Sequence, residues 1–199
     1  MSCENCGKDA VYKCSVCGKP LCTEHTKLRT ICKNCIKKTS IKYTIAKANT
    51  NKEKEKIREF VKRFWAEQEQ LTFNKKFIVA DLPTYIAKVK DNVIGFISYA
   101  EAGNTIIIVA LGVLPKYQNA SIGKSLIKKV EQEAKKQQKK KLLVSTSNDD
   151  LPALAFYQNL SFQICEVKPN VIAEKHGKIL KGINRIPIRD ELRLQKILH

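Results

Sequence analysis

The sequence predicts a mixed α/β domain preceded by a small cysteine-rich module. Two observations predict this division. Seven of the eight cysteines lie within the first 35 residues, and from residue 41 onward strand-like and helix-like hydrophobic patterns alternate. A chain of 199 residues suits one ordinary domain plus a small appendage. We therefore expect the module to span residues 1–38 and the α/β domain to span residues 41–199.

The cysteine-rich module has too few large apolar side chains to fold around a core of its own. Such a segment needs disulfides or metal ions to stabilise it. The odd number of cysteines, the close Cys-x-x-Cys pairs and the lack of a secretory signal favour metal in a reducing compartment. We therefore expect metal binding and a cytoplasmic location.

The spacing of the ligand residues predicts two zinc sites. It runs Cys3-x2-Cys6-x7-Cys14-x2-Cys17-x4-Cys22-x2-His25-x6-Cys32-x2-Cys35. Eight thiolate and imidazole ligands make two closed tetrahedral sets, which is typical of structural zinc sites. The spacing permits both sequential and interleaved pairing. Gly7 and Gly18, each directly after a Cys-x-x-Cys pair, fit tight turns around the sulfur atoms.

Residues 3–35 resemble the cross-brace zinc fingers of the B-box and HIT types. The resemblance implies that one Zn²⁺ is bound by Cys3, Cys6, Cys22 and His25. A second Zn²⁺ is then bound by Cys14, Cys17, Cys32 and Cys35. Closed coordination leaves no position for a substrate, so the module is expected to recognise a target or a protein partner rather than to catalyse.

The larger domain follows a strand, helix, meander, helix, strand, helix, strand pattern. The predicted elements are, in order, a strand at 41–46, a helix at 51–70, strands at 84–89, 93–100 and 105–114, a helix at 122–138, a strand at 142–145, a helix at 151–160 and a strand at 162–167. Cys165 has apolar neighbours on the last strand, which predicts a small core residue.

The loop between the third meander strand and the second helix predicts an anion site. The strand ends at Pro115, small residues follow, and an amphipathic helix begins near Ile122. Free amides and the helix dipole attract anions at such a helix start. Gly112 within the apolar strand indicates a bulge or a close approach of a ligand to the backbone. A nucleotide-hydrolase P-loop is excluded, because Gln118 stands where that motif requires glycine.

This loop and a later stretch resemble the GNAT family of acetyl-CoA-dependent N-acetyltransferases. The family's pyrophosphate motif Gln/Arg-x-x-Gly-x-Gly/Ala corresponds to Gln118-Asn119-Ala120-Ser121-Ile122-Gly123, with serine in place of the first glycine. The stretch from residue 146 through Phe156 and Tyr157 to Phe162 is similar to the family's second motif, with Ser161 in place of another glycine. The resemblance implies a mixed, mostly antiparallel sheet flanked by helices.

The resemblance also implies the co-substrate and its contacts. Acetyl-CoA is the implied co-substrate and a primary amine is the implied acceptor. The pyrophosphate is held by backbone amides of Gln118, Asn119, Ala120, Ser121, Ile122, Gly123 and Lys124. The pantetheine arm pairs with the strand edge at Leu111, Gly112 and Val113, and Asn148 contacts it from the neighbouring strand.

Tyr157 occupies the family's general-acid position, and a phenol is a workable proton donor to a thiolate. In the alternative interpretation, Tyr157 is simply an aromatic residue that packs on the neighbouring strand. The base is left unassigned, because Ile107 stands where many relatives carry an acid. Glu101 is the nearest acidic residue and is expected to be a solvated turn residue. His176 and His199 are expected to be ordinary surface groups.

The charge of the chain suggests an alternative function. The formal net charge is +18, and residues 39–199 hold 29 Lys and Arg against 16 Asp and Glu. A non-catalytic or weakly catalytic protein of this fold that binds nucleic acid or an acidic partner is therefore the second hypothesis. No membrane partner is expected, because the longest apolar stretch, residues 106–114, is far shorter than the roughly 20 residues of a membrane span.

Overall fold

The computed structural model describes residues 2–3, 6–10, 12–13, 20–22, 41–65, 68–182 and 185–198. The chain divides into two compact units, Met1–Lys42 and Tyr43–His199. In the first unit, strands β1 (Tyr12–Lys13) and β2 (Pro20–Leu21) form an antiparallel pair. An isolated antiparallel bridge joins Ser2 to Asp9.

The second unit is built around one seven-stranded sheet. Its strands are β3 (Thr44–Lys47), β6 (Thr84–Val89), β7 (Asn92–Ala102), β8 (Thr105–Val113), β9 (Lys141–Ser147), β10 (Gln163–Lys168) and β13 (Glu191–Ile197). Their order is β10-β13-β9-β8-β7-β6-β3, and β8–β9 is the one parallel pair among them. Two short antiparallel pairs stand apart: β4 (Glu69–Thr72) with β5 (Lys75–Ile78), and β11 (Leu180–Lys181) with β12 (Pro187–Ile188).

Helices cover both faces of this sheet. They are α1 (Asn51–Trp65), α2 (Ile122–Lys136), α3 (Leu151–Gln158) and the short α4 (Val171–His176). The apolar stripe of α2 packs with Tyr157 and Phe162 into one buried cluster. A second cluster joins Ile57, Phe60 and Val61 of α1 to another set of sheet residues. The predicted α/β fold with a mostly antiparallel sheet is confirmed. Among the helices that the structure describes, none has the length and apolar composition needed to cross a membrane.

The two central strands diverge along their length. Strand β8 pairs with β9 only from Thr105↔Lys141 to Ile108↔Val144. A bulge on β8 lies at the same point, because Tyr99 pairs with Ile108 and Ser98 pairs with Ala110, which leaves Val109 as the extra residue. Beyond it, β8 continues beside β7, while β9 continues beside β13. The expected irregularity in β8 therefore lies at Val109, and Gly112 pairs regularly with Phe96.

Helix α1 begins with a capping box. Thr50 Oγ1 accepts a hydrogen bond from the Glu53 amide at 3.2 Å, and Glu53 Oε2 accepts one from the Thr50 amide at 3.1 Å. The other carboxylate oxygen of Glu53 binds the Lys88 ammonium group of β6.

The predicted helix over residues 51–70 is wrong at its end, because Glu69 and Gln70 belong to β4. The hairpin turn after β4 requires positive φ at both Phe73 and Asn74, and this pair is not a strong turn signal.

Cys165 corrects another expectation. It is exposed rather than part of the core. Strand β10 forms the edge of the sheet, and five of its six residues are exposed. The register with β13 shifts between Ile164 and Glu166, so Cys165 stands in a bulge and its thiol lies 3.4 Å from the carbonyl oxygen of Arg193. Apolar residues next to Cys165 in the sequence do not reveal that its strand lies at the edge of the sheet.

The Glu53→Gln substitution tests the capping box. The Lys88 ammonium and the amides of Asn49 and Thr50 lower the pKa of Glu53 from 4.5 to about 2. The lowered folded-state pKa means that the carboxylate stabilises the fold fully above pH 4.5 and loses this effect as the pH falls toward about 2. We expect Glu53→Gln to reduce the free energy of unfolding by about 1 kcal/mol at pH 7, and by less at pH 3, in urea titrations.

The matched control is Glu59→Gln, which changes an exposed carboxylate on the same helix. An equal loss of stability in both variants at pH 7 would contradict the capping role of Glu53.

Candidate active site

A cavity of about 280 Å³ opens where β8 and β9 diverge. Residues 108–111 of β8 and residues 144–147 of β9 line it. Because β8–β9 pairing ends at Ile108, the edge of β8 that faces β9 carries backbone groups without a strand partner from Val109 onward. The cavity therefore combines a lining of mixed polar and apolar side chains with a row of main-chain hydrogen-bonding groups. Leu111, Gly112 and Val113, the predicted pantetheine contacts, belong to this free length of β8.

The predicted pyrophosphate loop is a tight turn at the start of α2. Asn119 and Ser121 both have positive φ, of 68° and 59°, and both are exposed. The Gln118 side chain donates a hydrogen bond to the Val113 carbonyl at 3.1 Å, which ties the loop to the end of β8. The amides of Ile122, Gly123 and Lys124 lie in the first turn, where the helix itself supplies no acceptors. The loop can thus present several amides to one anion.

The backbone conformation of Ser121 explains why the motif that this loop resembles has glycine at this position. Its backbone is left-handed, with φ 59° and ψ 11°, and its side chain makes no capping hydrogen bond to α2. A left-handed conformation costs an L-residue roughly 1–2 kcal/mol, whereas glycine adopts it freely. Gly123 allows a close approach of another side chain. A Cβ atom there would lie 3.2 Å from Cζ of Phe156, so α2 packs closely on α3.

Tyr157 is buried at the wall of the cavity, with 7% of its surface exposed. Phe156 and Phe162 pack against its ring edge to face, at centroid distances of 5.3 and 5.6 Å. Burial raises the pKa of Tyr157 well above 10.0, and the negative charge of Asp150 raises it further. Within the part of the chain that the structure describes, no group hydrogen-bonds its hydroxyl. The ring packs in the core, as the alternative interpretation of Tyr157 expects, and the phenol stays protonated at the cavity wall. The general-acid role of Tyr157 stays a prediction.

Asn148 has contacts that the sequence did not predict. Its Nδ2 donates to the Pro187 carbonyl at 2.8 Å, and its Oδ1 accepts from the amides of Arg189 and Asp190 at 2.9 and 3.0 Å. The side chain therefore holds the segment before β13 against the end of β9. Its predicted contact with pantetheine stays a prediction.

Several lining residues come from parts of the chain that sequence reasoning did not connect. Residues 70–72 of β4, Glu191 of β13, and Lys175 and His176 of α4 all line the cavity. The expectation that His176 is an ordinary surface group is wrong, since α4 brings it to the cavity wall and leaves it half-buried. His199 lies outside the described residues. Ile107 is buried. Glu101 is exposed, as expected, but it belongs to β7 rather than to a turn, and it pairs with Lys139 at 3.3 Å.

The hairpin β4–β5 is fastened to β13 by a buried charged network. Glu191 Oε1 accepts from the Thr72 hydroxyl at 3.2 Å and from the Phe73 amide at 3.1 Å. Arg193 donates to Glu191 Oε2 at 2.9 Å and stacks its guanidinium over the Phe73 ring at 4.9 Å. It also donates to Asn74 and Glu166. Glu191 and Arg193 are 4% and 5% exposed, so these contacts replace the water that both charges lose.

The first unit gathers three of the predicted zinc ligands. The sulfur atoms of Cys3, Cys6 and Cys22 all lie within 4.8 Å of one another, and those of Cys6 and Cys22 are 3.6 Å apart. The Gly7 amide donates to the Cys3 carbonyl at 2.9 Å, and Gly7 has a φ of 73°, as the predicted tight turn requires. The other predicted ligands and the second turn glycine lie outside the described residues: Cys14, Cys17, Gly18, His25, Cys32 and Cys35.

Comparison with known proteins gives consistent matches over the larger unit. A model of the Acetyltransferase (GNAT) family matches residues 50–162. The uncharacterised protein YdhI of Bacillus subtilis (strain 168) is 29% identical over 151 residues, which cover 73% of this chain and 92% of that relative.

Two solved structures have a similar fold. The IAA acetyltransferase from Bacillus cereus matches with a TM-score of 0.66 and 25% identity, over 79% of this chain and 100% of that chain. A GNAT family acetyltransferase from Elizabethkingia anophelis with acetyl-CoA bound matches with a TM-score of 0.59 and 23% identity, over 78% of this chain and 98% of that chain.

The Ser121→Gly substitution tests the strain in the loop. We expect the free energy of unfolding to rise by about 0.5–1 kcal/mol, because relief of the left-handed strain outweighs the extra backbone entropy of glycine. Urea titrations would measure the change. Asn119→Gly is the comparison, since asparagine tolerates the left-handed region better and should gain less. A loss of stability in Ser121→Gly would show that the serine conformation is not strained.

Proposed function

The chain belongs to the GNAT family of acetyltransferases, and from this premise we propose that it transfers an acetyl group from acetyl-CoA to a primary amine. The observation that carries the proposal is the cavity between β8 and β9, with the free edge of β8 on one side and the Tyr157 phenol at its wall. The acetyl-CoA bound to the Elizabethkingia anophelis protein supports the choice of co-substrate.

The pyrophosphate of the co-substrate would bind at the start of α2. The amides between Gln118 and Lys124 supply donors there, and the dipole of a fifteen-residue helix favours negative charge at this end. The amide groups of the pantetheine arm would pair with the free edge of β8, in place of the strand that β9 no longer provides. This arrangement directs the thioester toward the cavity wall that Tyr157 forms.

The transfer itself requires a neutral amine and a protonated leaving group. The amine nitrogen attacks the thioester carbonyl, a carbon–nitrogen bond forms, and the carbon–sulfur bond breaks. Tyr157 donates its proton to the departing thiolate, and its raised pKa keeps that proton available at neutral pH. The proton that the amine loses leaves through a base that stays unassigned, because Ile107 offers no carboxylate on β8.

We further propose that the first unit binds Zn²⁺ through Cys3, Cys6, Cys22 and His25. Tetrahedral zinc with bonds of about 2.3 Å places its sulfur ligands about 3.8 Å apart. The 3.6 Å between the sulfur atoms of Cys6 and Cys22 is close to that spacing. The approach of Cys22 to Cys3 and Cys6 supports the interleaved assignment, in which Cys14, Cys17, Cys32 and Cys35 hold the second ion. Zinc would hold this small unit folded, and a closed site fits a recognition role for a target or a protein partner.

Nucleic-acid binding, the second hypothesis, gains no specific support from the Lys-rich end of α2. Lys135 and Lys136 occupy the last turn, where the helix dipole favours cations. Lys139 is bound to Glu101 and to the Gly103 carbonyl. The positions of Lys135, Lys136 and Lys139 are therefore explained by local stabilisation of the end of α2.

The Tyr157→Phe substitution tests the proposed acid. We expect kcat to fall by about 10²-fold or more, because thiolate departure loses its proton donor. The Kd for acetyl-CoA, measured by calorimetry, should not change. In the wild type, kcat should show no loss from phenol ionisation below pH 10.0, since burial raises the pKa of Tyr157 above that value.

Tyr85→Phe is the matched control, because it removes a phenol that binds Glu133 on the surface of α2, outside the cavity. An unchanged kcat in Tyr157→Phe would remove the acid role. A wild type that does not bind acetyl-CoA at millimolar concentration would overturn the proposed function.

Metal analysis of the full chain tests the zinc proposal. Purified protein should contain about two Zn²⁺ per chain, and Cys6→Ser should contain about one, because a tetrahedral site that loses a thiolate binds zinc weakly. Cys165→Ser, which removes an exposed cysteine of the other unit, should keep both ions. Equal zinc content in the wild type and Cys6→Ser would refute the assignment.

A further inference from the structure

The floor of the cavity contains a chain of hydroxyl groups that ends on a buried carboxylate. Ser145 Oγ lies 2.6 Å from Thr72 Oγ1, and Thr72 Oγ1 lies 3.2 Å from Glu191 Oε1. All three residues line the cavity, and Thr72 and Glu191 are 5% and 4% exposed. We call these residues the hydroxyl chain.

The carboxylate determines the direction of every hydrogen bond in the hydroxyl chain. Glu191 is paired with Arg193 and can only accept, so Thr72 must donate its single hydroxyl hydrogen to Glu191. Thr72 can then only accept from Ser145, which uses the hydrogen of Ser145 in turn. The lone pairs of the Ser145 oxygen can then accept a hydrogen bond from a ligand in the cavity. Successive hydrogen bonds that end on an anion increase the negative partial charge on that oxygen.

We propose that Ser145 accepts a hydrogen bond from the N–H of the acceptor amine and so positions the amine for attack. This inference rests on the proposed function and adds the residue that recognises the nitrogen. A hydroxyl oxygen suits this task better than a carboxylate in direct contact. A carboxylate would stabilise the ammonium form, whose nitrogen has no lone pair, whereas a polarised hydroxyl also binds the neutral amine that reacts.

The same geometry gives Arg193 a positioning role. Its guanidinium holds Glu191, Phe73 and Asn74 together, so the turn of the hairpin β4–β5 cannot shift without breaking buried charged contacts. This fastening keeps Thr72 between Ser145 and Glu191. The hydroxyl chain therefore depends on three segments that lie far apart in the sequence.

The Thr72→Val substitution tests the proposal, because valine keeps the shape of threonine and removes the hydroxyl. The probe is whichever primary amine the wild type acetylates with the highest kcat/KM in a panel of amino acids, polyamines, amino sugars and a short peptide. We expect KM for this amine to rise about ten-fold or more, because Ser145 loses the hydroxyl that takes its hydrogen and polarises its oxygen, and the hydrogen bond to the amine weakens. The Kd for acetyl-CoA should be unchanged. Thr72→Ser, which restores the hydroxyl, should return KM toward the wild-type value.

A double-mutant cycle gives the second readout. Ser145→Ala should raise KM on its own, and in that background Thr72→Val should add little, because Thr72 affects the amine only through the Ser145 oxygen. The control is Thr84→Val, which breaks a similar buried hydroxyl pair with Ser98 at 2.7 Å outside the cavity lining. It should lower the unfolding midpoint and leave KM unchanged.

The outcomes separate the two proposals. A wild type without acetyl-CoA binding overturns the proposed function, and this inference with it. If acetyl-CoA binds and the amine is acetylated, an unchanged KM in Thr72→Val overturns only the role of the hydroxyl chain. A KM in Thr72→Ser as high as in Thr72→Val also overturns it, because packing rather than the hydroxyl would then be responsible.

Discussion

The parting of β8 from β9 is the constraint on which the rest of the larger unit depends. Four residue pairs hold the two strands together, and the bulge at Val109 then turns β8 away. Main-chain groups at a sheet edge that faces a protein interior need hydrogen-bonding partners, and a ligand with amide groups of its own can supply them. The candidate site is therefore an interrupted sheet, and in the proposed function the co-substrate takes the place of the missing strand. Helix α2 follows β8 in the chain and helix α3 follows β9, so the divergence of the two strands also determines where these helices begin.

The buried charges of β13 show how the fold holds an element with few contacts of its own. The hairpin β4–β5 has only four residues in each strand and stands apart from the main sheet. A two-stranded hairpin is marginal in isolation, so its position must be imposed from outside. Glu191 and Arg193 do this from a strand that is itself hydrogen-bonded on both sides. Their desolvation is offset by the partners that the hairpin provides, so the hairpin and the charges stabilise each other.

Local patterns in the sequence predicted several elements of the larger unit. The three strands of the meander and the start of α2 at Ile122 were all predictable from hydrophobic patterns. The loop at Gln118 to Gly123 was identified from its motif, and its left-handed residues explain the glycine preference of that motif. These features depend on neighbours in the sequence.

The features that escaped prediction depend on distant neighbours. Strand β13 alternates Glu191, Leu192, Arg193 and Leu194, and such a pattern places the charged residues on the solvent face. Here the charged face is buried, because a hairpin 119 residues earlier covers it. The hydroxyl chain and the place of His176 at the cavity have the same origin, since α4 and the hairpin carry no periodic signal that connects them to β9. Such contacts are decided by the topology of the sheet.

The position of β13 also has a consequence for how the chain acquires its shape during synthesis. Six strands of the sheet precede β13 along the chain, yet β13 lies between two of them, β9 and β10. Until residues 191–197 have been translated, β10 has no neighbour to join and β9 has an open side. Domains generally fold as they emerge from the ribosome, from the amino terminus onward. The first five strands can therefore associate early, whereas the cavity receives Glu191, one of its lining residues, only with the strand that the ribosome makes last among the seven.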